Sequence, residues 1–232
     1  DWSSDVCSSD LLRETLTDLR RALQARGGDL VLRAGDPAEV AVAVAVAVGA
    51  TTIHHSADTG RHAVARTARL HRNAAAAGIE VIGHPGVAVV EPGLVRPSGG
   101  GDHFKVFTPY SRAWSASPRR PVAAVPATVT LPDGTGPGDD LDRLIPASAT
   151  VGASPERPIG GEAEARRRLD TWQAGDLAHY EQIHDDLPAD RTSRLSPYLH
   201  FGCLSALELT TRLSGLPDRK STRLNSSHVA LS

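Results

Sequence analysis

The chain has 232 residues, 27 acidic and 25 basic, for a formal net charge of -2 at pH 7 with its histidines neutral. That balance excludes an overall basic footprint for nucleic acid, and no run reaches the about 18 apolar residues of a membrane span. Of the two cysteines, Cys7 lies in a terminal stretch set aside below; the single thiol left, Cys203, excludes a disulfide framework and suits a reducing cytosol, so a cytoplasmic place is expected.

Residues 1–11, DWSSDVCSSDL, and 218–227, DRKSTRLNSS, are related at the level of DNA. One nucleotide string encodes the first peptide, and its reverse complement, read in a shifted frame, encodes the second. The string resembles a sequencing-library adapter. Residues 1–11 and 218–232 are therefore left out of the expected fold, and the tail is expected to pack poorly. The remainder reads as a gene fragment open at both ends, which agrees with the absence of methionine.

In chain order, Leu12, Leu16, Leu19 and Leu23 recur at helical spacing until Gly27-Gly28 stops them. Leu30-Val31-Leu32 reads as a short buried strand. Asp36 is placed to cap a helix that Pro37 opens. The Ala/Val alternation over 41–48 has a strand period, but the cap, the alanine content and the surrounding order favour helix. A strand over 51–55, a helix over 60–77 closed by Gly78, and a strand over 79–83 complete an α/β pattern, which predicts a doubly wound parallel sheet. Residues 87–90 and 94–96 are expected to form a hairpin or paired loop, and 108–114 a helix. From 118 to 160 the composition turns to Pro, Gly, Ala and Asp without periodicity, as in a long linker. Helices are expected again at 161–174, 177–183, 197–201 and 206–213, too few to close a core by themselves.

Two constellations read first as structure. His54, His55 and Asp58 have metal-ligating side chains, but neighbours on a strand point to opposite faces, so no metal is expected there. Arg61, Arg66, Arg69 and Arg72 stud one helix and read as a solvated face rather than a nucleic-acid surface. Trp114, Tyr198 and Phe201 read as packing residues.

Thr192-Ser193-Arg194-Leu195-Ser196-Pro197-Tyr198-Leu199-His200-Phe201-Gly202 points to a chemistry. Ser196 is a natural N-cap, Pro197 suits a first helical position, and the free amides of a helix start attract phosphate. With three hydroxyls and the Arg194 charge, the segment reads as a pyrophosphate cradle; the plain alternative is a well-capped helix.

This segment resembles the flavin-phosphate segment of the DNA photolyase/cryptochrome family. Leu177-Ala178-His179-Tyr180-Glu181-Gln182 resembles that family's Tyr-bearing helix, and Val106-Phe107-Thr108-Pro109-Tyr110-Ser111-Arg112-Ala113-Trp114 its F-T-P-Y-x-x-x-W signature. The resemblance covers most of 12–217. It implies an α/β antenna domain over 12–117 lacking its first strand, an interdomain linker over 118–160, and the start of an all-helical FAD-binding domain over 161–217. It also implies light-driven repair of cyclobutane pyrimidine dimers in DNA, with FAD as cofactor and a deazaflavin or folate as a second, antenna chromophore. Tyr180, Thr192, Ser193, Arg194, Leu195 and Ser196 would hold the FAD phosphates, and none would be a catalytic acid or base. UV-damaged DNA would be the partner of a monomeric protein, and the fragment itself would be inactive. His184 stands where many members place an arginine near the DNA backbone and offers only a conditional charge there. A cryptochrome photoreceptor and a generic nucleotide-binding α/β module are the alternatives.

Overall fold

The computed structural model describes residues 2–147, 157–183, 186, 188 and 191–214. It opens on a long helix, α1 (Trp2–Gln24), which ends in a turn at Gly27 with a φ of 87°, a conformation glycine adopts without steric cost. The helix therefore starts well before Leu12 and runs through the stretch set aside on DNA-level grounds; Asp10 and Leu11 are buried.

Asp36 caps α2 (Pro37–Ala47) as expected, its carboxylate accepting from the Ala38 amide at 2.9 Å. The Ala/Val alternation is thus helical. Alanine loses almost no side-chain entropy in a helix, and an anchored start overrides the strand-like period. Strand β1 (Thr52–Ala57), helix α3 (Arg61–Ala76) and strand β2 (Glu80–Pro85) follow, and the strands pair in parallel with Thr52 opposite Glu80 and Ala57 opposite Pro85. Side chains alternate across a strand. Ile53 and Val81 therefore face inward and pack, with Ala45, Ala74 and Ile79, between the sheet and helices α2 and α3. His54, Ser56, Ile82 and His84 take the other face.

Residues 30–32 correct the sequence reading: they form no strand. Their backbone is met by the linker, where the Asp139 amide donates to the Leu32 carbonyl at 2.8 Å and the Arg33 guanidinium reaches the carbonyls of Thr135 and Pro137. Backbone demand is satisfied there by a returning loop, and hydrophobic periodicity cannot distinguish that from sheet pairing. Residues 87–96 likewise form turns rather than paired strands, with the Leu94 amide donating to the Glu91 carbonyl at 3.2 Å.

Helix α4 (Phe107–Ala116) carries the F-T-P-Y motif. Beyond it the described residues up to 147 are largely without regular structure, apart from a turn at 133–134 and a short helix, α5 (Leu141–Leu144), capped by Asp140. The helical part comprises α6 (Glu162–Ala174), a tight turn of 3-10 helix (Asp176–His179), α7 (Tyr180–Ile183), α8 (Ser196–His200) and α9 (Ala206–Ser214). Its core joins Ala165, Leu169, Trp172, Leu195, Tyr198, Cys203, Leu204 and Leu209.

Several contacts among the described residues bind the halves. Trp114, Val89 and Val90 form one buried cluster with Leu207 of α9, as the packing role expected for Trp114 requires. The start of α6 has glycine at its cap, with no side chain to accept from the free amides, and α1 supplies carboxylates instead. Asp18 accepts from the Glu162 amide at 2.8 Å, and Glu14 accepts from the Gly160 amide at 2.7 Å while pairing with Arg157 at 2.6 Å. Gly160 admits no side chain, because a Cβ there would overlap the Leu11 carbonyl oxygen.

Candidate phosphate site in the helical half

Thr192–Gly202 folds as a loop entering a single turn of helix, and the local geometry revises how it can bind an anion. Helix α8 is five residues long, Leu195 rather than Ser196 occupies the cap, and no side chain caps the start. Ser196 as N-cap is therefore incorrect. The Ser-Pro pair lies one step inside, because the turn is initiated by the backbone bend before it. So short a helix also carries little dipole, since few peptide units align.

The bend supplies another device. Arg194 has φ 47°, the one non-glycine residue with positive φ among those described, and Leu195 follows at φ -87°, ψ -9°. A left-handed residue followed by a right-handed one turns successive amides toward a common point, the concave nest that binds anions. Among the described residues, the amides of Thr192, Ser193 and Leu195 and the hydroxyls of Thr192, Ser193 and Ser196 make no hydrogen bond within the chain. Thr192, Arg194 and Ser196 are exposed and Ser193 is half-buried, so the loop is open to solvent. Leu195 is 3 % exposed and anchors the loop in the helical core, so only its backbone is available to a ligand.

Tyr180 packs half-buried against that same core, edge-on to Trp172 at 5.7 Å between ring centroids and 85° between planes. The structure thus ties Tyr180 and Leu195 to one cluster although fifteen positions separate them. Trp172 belongs to none of the sequence motifs, and its place three residues after Leu169 on α6 is the signal that puts it on the same buried face. Its buried Nε1 has no partner. Tyr198 is fully buried beneath the loop and donates to the Ile159 carbonyl at 2.7 Å. Burial pushes its phenol above the ordinary tyrosine range, and the nearby Arg168 opposes that shift. Phe201 packs half-buried on the same cluster. His184 lies outside the described residues, as do 215–232.

At the other motif, Phe104, Phe107 and Tyr110 line an open cavity of about 430 Å³ together with His103 and Lys105. The arginines of α3 are exposed, and Arg69 pairs with Asp36 at 2.7 Å.

The fold is thus a parallel β-pair packed on two helices and followed by a helical part, with a left-handed bend at the head of α8. Comparison with known proteins makes it specific. The family model for DNA photolyase matches residues 2–128. A deoxyribodipyrimidine photo-lyase of Streptomyces griseus is 41% identical over 202 residues, 87% of this chain and 44% of the relative. A cryptochrome DASH of Natronomonas pharaonis is 30% identical over 200 residues, covering 83% of this chain and 42% of the relative. The solved bacterial class III photolyase of Agrobacterium tumefaciens superimposes with a TM-score of 0.83 at 24% identity, over 97% of this chain and 48% of the other. The chain belongs to the DNA photolyase family. It spans less than half the length of these relatives.

Proposed function

We propose that the whole protein is a deoxyribodipyrimidine photo-lyase, repairing cyclobutane pyrimidine dimers in DNA, and that Thr192–Ser196 holds the diphosphate of its FAD. The observation that carries the phosphate assignment is the nest at Arg194 and Leu195, with unengaged amides and hydroxyls beside it. When bound, the reduced flavin supplies the light-driven electron that opens the dimer.

The residues of this chain bind and orient rather than react. The amides around Arg194 and the hydroxyls of Thr192, Ser193 and Ser196 donate to phosphate oxygens, and the Arg194 guanidinium adds charge. Tyr180, braced by the Trp172 edge, is the tyrosine assigned to the same phosphates. The buried Leu195 and Tyr198 anchor the loop to the helical core without a ligand, which limits the ordering entropy that binding would cost. A base lesion would have to leave the duplex stack to approach the cofactor, and His184 is assigned to the DNA backbone there. A deazaflavin or folate antenna is assigned to the α/β half.

The cryptochrome DASH relative supports a second reading, a photoreceptor using the same phosphate cradle. The experiment is direct. The full-length protein, purified in the dark, should carry flavin absorption and restore dimer-containing oligonucleotides under blue light. Thr192→Ala/Ser193→Ala/Ser196→Ala should lower flavin occupancy while keeping the fold. Flavin without repair selects the photoreceptor, and absence of flavin defeats both readings.

A further inference from the structure

The outward face of the β1–β2 pair carries an arrangement that phosphate binding does not use. His54 opposes Ile82 and Ser56 opposes His84, so His54 and His84 stand diagonally on one face of two parallel strands. Their rings meet, with His54 Nδ1 and His84 Nε2 2.9 Å apart, centroids at 5.1 Å and planes inclined by 31°. Both side chains are exposed. His55, the sequence neighbour, lies opposite Gly83 on the inward face and cannot join them.

We propose that His54 and His84 form a two-imidazole site for a borderline divalent transition ion, Ni(II), Cu(II) or Zn(II), with solvent completing the coordination shell. Imidazole nitrogen is the preferred protein donor for these ions. Two nitrogens bound to one ion at about 2.0–2.1 Å stand about 2.9 Å apart at a right angle and about 3.4 Å apart at the tetrahedral angle. The observed separation falls at the lower bound, so the strands already hold the donors at chelating distance. Small ring rotations, unhindered on an exposed face, bring both lone pairs onto a common point.

The proton balance is simple. Without an ion, one of the two facing nitrogens donates its N–H and the other accepts. Binding moves that single proton to the far nitrogen of its own ring, a tautomer change, and both imidazoles remain neutral. Each ring then presents a lone pair to the ion and an N–H to solvent. The strand alternation that excludes a His54–His55 pair is what makes this one, since residues two apart share a face and the parallel register brings β2 alongside.

The test is titration of Ni(II) chloride into the 232-residue chain at neutral pH, followed by calorimetry and by the histidine ring resonances in NMR. We expect one ion per chain with a micromolar dissociation constant, and broadening of the His54 and His84 resonances before those of the other histidines. His54→Ala and His84→Ala should each weaken binding by about tenfold or more. His62→Ala and His71→Ala, on the exposed side of α3, should leave it unchanged. Far-UV circular dichroism confirms that each variant keeps its fold. Unaltered stoichiometric binding by the His54→Ala/His84→Ala double variant, or only millimolar binding by the unmodified chain, overturns the proposal.

Discussion

Replacing Arg194 by glycine and, separately, by alanine isolates the backbone of the phosphate loop from its side chain. Both variants lose the guanidinium and its contacts alike, so their difference reports conformation alone. At φ 47° a Cβ crowds the following carbonyl at a cost of about 1–2 kcal/mol, which glycine does not incur. Glycine's wider freedom in the unfolded chain takes back about 0.4–1 kcal/mol. Arg194→Gly should therefore be more stable than Arg194→Ala by about 0.5–1 kcal/mol. With a urea slope of about 2 kcal/mol per molar, the midpoint should differ by about 0.3–0.5 M. Urea unfolding of the two variants side by side, followed by circular dichroism, reads this directly. The same pair tests the anion site: inorganic pyrophosphate should still shift the Leu195 and Ser196 amide resonances in the glycine variant, because the nest is made by main chain. An alanine variant equal to or more stable than the glycine one would show that the left-handed bend is not the conformation of this loop.

Tyr198→Phe should lose about 1 kcal/mol at neutral pH through the hydrogen bond to Ile159. Because the folded phenol titrates above its unfolded value, its contribution is complete below about pH 10 and falls as pH rises through the folded value; the unmodified chain should lose stability there relative to Tyr198→Phe. Leu169→Ala, at a fully buried site, should cost about 2–5 kcal/mol by chemical unfolding, and a cost under 1 kcal/mol would argue against the helical core described. Asp18→Ala removes the carboxylate that serves as the missing cap of α6 and should cost about 1 kcal/mol; unchanged stability would mean that solvent satisfies the Glu162 amide equally well.

Much of the local structure is legible in the chain by itself, because caps, glycine stops and helical spacing act within a few residues. Asp36 and Pro37 start α2 despite a strand-like Ala/Val period, and Gly78 ends α3. The two motifs in the helical half and the one on α4 identify the family from sequence alone, since each combines residue types that ordinary packing does not require together. Other features were decided only in three dimensions. Residues 30–32 carry a strand's composition, yet the linker takes up their backbone, and nothing within three residues specifies that partner. Ser196 has the chemistry of a cap, but the left-handed turn at Arg194 moves the helix start by one residue and replaces a dipole with a nest of amides. Gly160 and Asp18 are unremarkable in sequence, and they find their partners, Glu14 for Gly160 and the Glu162 amide for Asp18, only because α1 packs on α6. His54 meets His84 rather than His55 for the same reason: chain order determines which face a side chain takes, and the parallel register across strands determines what it finds there.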